Sequence, residues 1–374
     1  MHDAPTSLET EHFSLSATFD WDLGSVNLKS LTAYQDFEDS SNMDVDGTEL
    51  PIAHNGFLRD DHGEEAEFYS QEFILNSTHE GPLQWTVLIN YSESDIQTNA
   101  DNWLPLFDFQ GLWDAEVEGE AFGFAGQVTY SVNDQLNLTG GVRYSDESKD
   151  FWRQETFVGI GTLPGEELDA SWEEWTPRFV IDYFPSEEVM LYASATKGFK
   201  AGGFNIFASD SQFDPEYVWS YELGVKSTLW DGQLRANAAT FYYDYTDIQL
   251  QTFNPDRAEA GAATTIENAG EASNFGVEAD FTLQATEALR FELGLAYLDA
   301  EIEEWVTLDP DRPEEGVFDR EGNSLPRAPD LTVSFAAEYT KDISPGILSL
   351  RGEYYYRDDI YFTAFEDERV MQDA

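Results

Sequence analysis

Hydrophobic and polar positions alternate with period two along most of this chain. That is the period of a strand with one apolar and one polar face. In Phe13-Ser14-Leu15-Ser16-Ala17-Thr18-Phe19-Asp20-Trp21 the odd positions are apolar and the even ones polar. Leu136 to Tyr144 places Leu136, Leu138, Val142 and Tyr144 on one side. Tyr221 to Leu229, Phe275 to Leu283, Phe291 to Tyr297 and Leu331 to Tyr339 repeat the pattern, with Glu222, Lys226, Glu278, Asp280, Glu292 and Glu338 on the opposite side. Segments rich in turn formers join neighbouring runs: Val132 to Gln135, Phe184 to Glu187, Trp230 to Gln233, Ala285 to Ala288 and Ile343 to Gly346. Longer acidic stretches, with less pattern, separate the hairpins at roughly 39–66, 96–119, 150–171, 201–215, 251–271 and 304–329. Short turns alternating with long loops predict an all-β, transmembrane, antiparallel up-and-down β-barrel, with about fourteen strands in this chain.

A soluble β-sandwich is the competing architecture. Sandwich strands run about five or six residues, whereas the alternation here continues for about nine or more. Aromatics close many of the runs: Tyr144, Tyr183, Tyr192, Trp230, Tyr242, Tyr297 and the Tyr354-Tyr355-Tyr356 triplet. Those positions suit the aromatic girdles of a membrane protein.

Composition supports the same choice. The 374 residues include 27 Phe, 18 Tyr and 10 Trp, yet mean hydropathy is −0.45. Abundant aromatics in a hydrophilic chain fit a wall with one face in lipid and the other in water. No apolar run approaches the roughly 18 residues of a membrane-crossing helix.

Charge and chemistry then narrow the function. Asp and Glu number 74 against 19 Lys and Arg, a formal charge of −55. Such a surface repels nucleic-acid phosphates and excludes that class of partner. The acidity is expected on solvated loops, either as an adaptation to a saline habitat or to hold cations or a cationic ligand. Cysteine is absent, so disulfides and thiolate chemistry are absent too. The five histidines, His2, His12, His54, His62 and His79, all lie near the start of the chain, none beyond residue 79. No nucleophile elbow or zinc-binding helix motif accompanies them. Asn42-Met43-Asp44-Val45-Asp46-Gly47 resembles half of a calcium loop, but its twelfth position is Ala53, so it reads as a turn. The chain is expected not to be an enzyme, and no catalytic, cofactor-binding or metal-binding residue is assigned; no cofactor is implied.

One stretch is more specific. Leu191 to Asn205 runs a strand into a glycine-rich, aromatic-flanked exit at Gly198, Gly202 and Gly203, where glycine would allow a bulge or sharp bend. It resembles the strand-to-loop segment of TonB-dependent outer-membrane receptors. Ser70 to Leu75, Phe122 to Tyr144, Trp175-Thr176-Pro177-Arg178, Phe213-Asp214-Pro215-Glu216, Tyr221 to Lys226, Asn268-Ala269-Gly270 with Gly276-Val277-Glu278, and Leu325 to Pro329 match other family segments in order. The likeness is strongest to the iron-complex, or siderophore, branch.

That resemblance implies TonB-driven uptake of a ferric siderophore or other iron chelate across the Gram-negative outer membrane. It implies a plug domain and a 22-stranded barrel. Residues 1–374 would then be a fragment of the barrel domain, without the plug, the first strands or the last. Residues 1–6 also lack the basic and apolar regions of a signal peptide. The implied partners are the TonB system acting through the absent plug, a metal chelate and the lipid bilayer; the receptor is expected to be monomeric. Trp103, Phe107, Phe109, Trp113, Phe204 and Phe207 offer aromatic surface to a ligand or to the interface, and loops 96–119, 201–215 and 251–271 are the places for specificity. No ligand-binding residue is assigned. A strongly negative mouth favours a neutral or cationic chelate. A passive porin and a soluble carbohydrate-binding or adhesive β-protein are the alternatives.

Overall fold

The computed structural model describes residues 6–44, 54–56, 63–104, 109–206, 208, 212–253, 264–309 and 316–374. Among them strands dominate; the 3-10 turn Glu368–Val370 is short, and no helix is long and apolar enough to cross a membrane. Fourteen long strands follow one another in a single meander. They are β1 (Ser7–Asp22), β2 (Val26–Asp44), β3 (Glu64–Ser77), β4 (Leu83–Leu104), β5 (Phe109–Asn133), β6 (Leu136–Phe157) and β7 (Glu166–Ser186). After them come β8 (Val189–Lys200), β9 (Glu216–Leu229), β10 (Leu234–Thr246), β11 (Glu271–Thr286), β12 (Leu289–Glu304), β13 (Leu331–Ile343) and β14 (Gly346–Arg357). Each pairs antiparallel with the next. β1 and β14 form the two edges and do not pair with one another among the described residues.

Directly opposed residues in an antiparallel pair share a face, so register decides what each face presents. One row reads Phe73, Ile89, Phe124, Tyr144 and Trp175 across β3 to β7. A second reads Ala195, Tyr221, Tyr242 and Phe275 across β8 to β11. Phe73, Phe124, Trp175, Tyr221, Tyr242 and Phe275 are all exposed. A continuous exposed apolar face of this extent is stable only against lipid. On β7 nine residues run from Trp175 to Tyr183, both on this face; nine is about the length of a tilted transmembrane strand.

The opposite face is polar and concave. Tyr192, Glu222, Lys226, Asn237, Tyr243 and Glu278 help line a hollow of about 1110 Å³ on it. The Tyr192 hydroxyl donates to Glu222, and Lys226 lies 5.3 Å from the Tyr192 ring centre. Arg143 donates from Nη2 to Asn90 Oδ1 at 2.9 Å. Asn237 Nδ2 donates to Asp280 at 2.9 Å. Paired polar groups of this kind suit a wet lumen wall.

All five turns expected from the sequence close hairpins at one end of the sheet. In Trp230-Asp231-Gly232-Gln233 both central residues have positive φ, 53° and 86°, as a right-twisted hairpin turn requires. The wall differs from expectation in three respects. Most of 96–119 and 150–171 is strand, because β4, β5, β6 and β7 are 22, 25, 22 and 21 residues long. Beyond the lipid both faces meet water, so the alternation that identifies a strand disappears while its hydrogen bonding continues. Tyr144 accordingly stands mid-strand and marks the membrane interface, not a strand end. Tyr192 sits opposite Asp182 and Gly224 on the polar face and is not part of a girdle.

Candidate functional site

At the long-loop end three connecting segments and the last residues of the chain fold against one another. The first leaves β8 at Ala201 and passes over the concave face of β6. Lys149 Nζ donates to the Gly202 carbonyl at 2.7 Å and lies 5.6 Å from the Trp172 ring centre. Phe151 and Phe204 stack at 5.2 Å with planes 9° apart. Arg153 donates from Nη1 to the Ile206 carbonyl at 3.2 Å and from Nε to Glu166 at 2.8 Å. Positions 149, 151 and 153 share a strand face, and 202, 204 and 206 answer them with the same two-residue period.

The glycines expected to bend this exit act differently. Gly198, Gly202 and Gly203 do not adopt positive φ. A Cβ on Gly202 would instead lie 2.3 Å from the Phe213 carbonyl oxygen and 2.7 Å from Trp172. The glycine is there for close packing.

Two asparagines fasten this segment to the next. Asn205 pairs with the backbone of Ile266, accepting from its N–H at 2.7 Å and donating to its carbonyl at 3.0 Å. Asn268 accepts from Asp214 N–H at 2.7 Å and donates to the carbonyls of Asp214 at 2.9 Å and Asp247 at 2.8 Å. The hairpin Gln249–Phe253/Thr264–Asn268 then meets the hairpin Val306–Leu308/Val317–Asp319 through Thr252 and Thr307, whose hydroxyls are 2.9 Å apart. Ile248, Ala269, Ala272, Ile302, Trp305, Ala364 and Phe365 form an apolar core beneath them. Asn323 Nδ2 donates to the Ala364 carbonyl at 2.9 Å, tying in the last segment. Short amide side chains satisfy loop backbone that has no ladder partner, and the result is a connected roof. Both asparagines lie in segments that stand out in the sequence, Leu191 to Asn205 and Asn268-Ala269-Gly270, but nothing in the sequence assigns either one a partner.

The charge is not confined to loops, contrary to expectation. On the face that continues the apolar band, Asp36, Glu67, Asp95, Glu118, Asp150 and Asp169 stand directly opposite one another from β2 to β7. Asp95, Glu116 and Glu118 bring carboxylate oxygens within 4.8 Å of each other. Lys29, Arg143, Lys149, Arg153 and Arg178, the basic residues of β1 to β7, all lie on the concave face. The outer rim is therefore anionic, while the inner wall carries mixed charge.

The suggested aromatic contacts separate. Trp113 is 2% exposed and presents no surface. Trp103 is exposed and Phe204 is engaged with Phe151. Phe107, Phe207 and the side chain of Phe109 lie outside the described residues, as do His2, His62, the side chain of His54 and the calcium-loop-like stretch beyond Asp44. His12 packs edge-on to Phe37 at 6.5 Å, and His79 sits in a short turn.

An antiparallel meander with an exposed apolar band, a concave polar face, tight turns at one end and long ordered loops at the other is the wall of an outer-membrane β-barrel. The chain belongs to the family described as TonB dependent receptor-like, beta-barrel, which it matches over residues 2–370. This is a family of transport receptors of the Gram-negative outer membrane. The metal-pseudopaline receptor of Pseudomonas aeruginosa is 32% identical over 187 residues, 50% of this chain and 25% of that protein. The ferric-pyoverdine 358 receptor of Pseudomonas putida is 25% identical over 240 residues, 63% of this chain and 28% of that protein. The ferric yersiniabactin uptake receptor FyuA from Yersinia pestis shares the fold with a TM-score of 0.81 at 16% identity, over 98% of this chain and 52% of that one. The chain thus spans about a quarter of the curated relatives it matches and about half of that solved structure.

Proposed function

We propose that this chain is wall of a receptor for TonB-dependent uptake of a metal chelate, a ferric siderophore being the first candidate. The observation that carries the reading is the match to the receptor family over residues 2–370, joined to relatives named for metal-pseudopaline and ferric-pyoverdine. The roofed, polar concave face supplies the geometry: a lumen on the lipid-shielded side and ordered loops where a ligand arrives.

On this reading residues 1–374 are part of one barrel domain, completed by further strands to about 22 and filled by a plug that contacts TonB. The unpaired edges of β1 and β14 support completion, since open strand edges are untenable in lipid. The assembled receptor is a monomer in the outer membrane, catalyses no reaction and works with the TonB system. A passive porin shares the wall physics but has no plug; the family match argues against it.

The test is growth of a deletion strain on a panel of iron chelates, cobalamin and oligosaccharides as scarce nutrients. Loss of growth on one or more iron chelates, restored by the intact gene, is the expected result. Normal growth on every iron source would overturn the iron assignment.

A further inference from the structure

The sheet is notched between β7 and β8. Their pairing ends at Arg178 and Thr196, although β7 continues loopward to Glu166. β8 stops at Lys200, and the chain then crosses to the concave side, where the Gly202 carbonyl accepts from Lys149. Two local features end the pairing. Pro177 has no N–H, and the Trp175 N–H donates to Oε1 of its neighbour Glu174 at 2.8 Å. Lys197 Nζ donates to the same Glu174 oxygen at 3.0 Å and closes the base of the notch. One bond fixes the phase of the backbone above it: Phe184 N–H donates to the Gln135 carbonyl at 2.7 Å. The register between β6 and β7 is unbroken from Tyr183 to Glu166. Even-numbered residues of β7 therefore bond to β6, and odd-numbered ones point away from it. Glu167, Asp169, Ser171 and Glu173 turn their N–H and C=O groups into the notch, and no described residue pairs with them there. All four residues are exposed.

Three of these four residues carry carboxylates on the outer face, and Asp146 and Asp150 of β6 stand opposite Glu173 and Asp169. The nearby cations are directed elsewhere. Lys149, Arg153 and Lys200 lie on the concave face with Glu147, Glu166 and Glu174, and Lys197 is paired with Glu174. A second copy of the chain is a poor source of the missing strand, because antiparallel pairing of two such edges sets carboxylate against carboxylate. We propose that the β7 edge from Glu167 to Glu173 docks an extended basic segment of a protein partner, which adds a strand to the wall outside the membrane. Main-chain bonds to the four edge residues supply affinity, and Lys or Arg at alternate positions, opposite Glu167, Asp169 and Glu173, supplies selectivity. The same carboxylates keep acidic strands off an open edge. The site stands at the outer rim, apart from the lumen, and does not depend on the identity of the cargo.

The experiment measures binding of a fluorescent peptide of alternating Lys and Thr, about ten residues long and so able to span the edge. The receptor is produced from its natural gene and held in nanodiscs of phosphatidylcholine, which has no net charge to attract the peptide. Pairing opposite the odd residues of β7 puts each lysine's backbone N–H against the wall and each threonine's away from it. Backbone N-methylation of the lysines is therefore expected to weaken binding about tenfold or more, the scale of two lost hydrogen bonds. N-methylation of the threonines, at the same charge, is expected to leave it within about twofold. Ser171→Pro removes one edge N–H without changing charge, on an edge that already contains Pro177. Asp169→Asn with Glu173→Gln removes charge and leaves the backbone alone. Each change is expected to weaken the unmodified peptide about three- to tenfold, and a peptide of alternating Glu and Thr is expected not to bind.

Cysteine is absent from this chain, so Ser171→Cys places a single thiol of the chain at the edge. A peptide with a central cysteine is expected to form a disulfide there, and not with Ser194→Cys on the concave face. Correct assembly of each variant is scored by resistance to SDS before heating. If Ser171→Pro does not assemble, the two N-methylated peptides decide the question on the parent receptor. Equal binding of those two peptides would mean attraction between charges with no added strand, and overturns the docking site. An intact receptor that does not bind the basic peptide overturns it too. So does a Ser171→Cys receptor that links to a second receptor in preference to the peptide, which would assign the edge to a second copy. None of these results bears on iron uptake, which is tested separately by growth on iron chelates.

Discussion

Asp95 on β4 lies directly opposite Glu118 on β5, on the face that continues the apolar band beyond the membrane. Like charges facing one another across strands are destabilising, by roughly 0.2–1 kcal/mol per pair. Here the pairing is not isolated, because Glu67 faces Asp95 and Asp150 faces Glu118. No Lys or Arg shares that face on β1 to β7 among the described residues. The wall thus folds against a repulsion that the surrounding ions help relieve.

The upper wall should accordingly gain stability with ionic strength. The Debye length falls from about 10 Å at 0.1 M salt to about 3 Å at 1 M, shorter than the reach of the whole row of carboxylates. Thermal unfolding followed in 0.05 M and 1 M NaCl should give a higher midpoint in the concentrated salt. Glu118→Gln should narrow the gap by raising the low-salt midpoint. Equal midpoints for the parent in both salts would rule out repulsion as a governing force.

Acid should act in the same direction on the loop before β13. Burial pushes the Asp330 carboxyl above its usual value, and Asp358 and Asp299 add to the shift. A raised folded-state value means the folded form holds the proton more tightly. The contribution is complete below the ordinary carboxylate range and is lost as pH rises through the raised value. Local stability near Asp330, read by hydrogen exchange of the β13 start, should fall as pH rises above the ordinary carboxylate range, and Asp330→Asn should flatten that profile. A profile unchanged by the substitution would assign the pH dependence to another group.

Asn268→Ala tests whether the roof is connected. The substitution removes hydrogen bonds to Asp214 and Asp247, and leaving such backbone groups without partners costs about 1–3 kcal/mol. Hydrogen exchange should accelerate together in 201–206 and 264–270, while amides in the lower half of β6 keep their protection. Acceleration restricted to the immediate neighbours of residue 268 would show that the segments open independently.

Legibility in the sequence followed the solvent. Where lipid meets one face and water the other, as at Leu136 to Tyr144, alternation predicts both the strand and its orientation. Where water meets both faces, as at Glu147 to Trp152, nothing in the pattern distinguishes strand from loop, and the extension of β6 was invisible. The glycine-rich exit was legible as special, but the cause lay in the distant Trp172 and Phe213, which only tertiary packing places beside Gly202. Asn205 meets Ile266 across 61 residues of sequence, a separation at which single-chain patterns carry no information. Net charge was legible as a quantity and misleading as a location, since its partition between faces depends on register.

The orientation of the wall can be tested at one position. Phe179 lies midway between Trp175 and Tyr183 on the apolar face and is 59% exposed. That places it near the bilayer midplane, where a lipid-facing Arg costs about 2–4 kcal/mol. Ser194 on the neighbouring strand faces Val180 and Glu222 on the concave side, where an added cation meets water and a carboxylate. Phe179→Arg should therefore lower the unfolding midpoint of the receptor in lipid bilayers by several degrees or prevent assembly, while Ser194→Arg should assemble with a much smaller change. The reverse order would turn the wall inside out: the aromatic rows would face the lumen, and the polar concave face would face lipid.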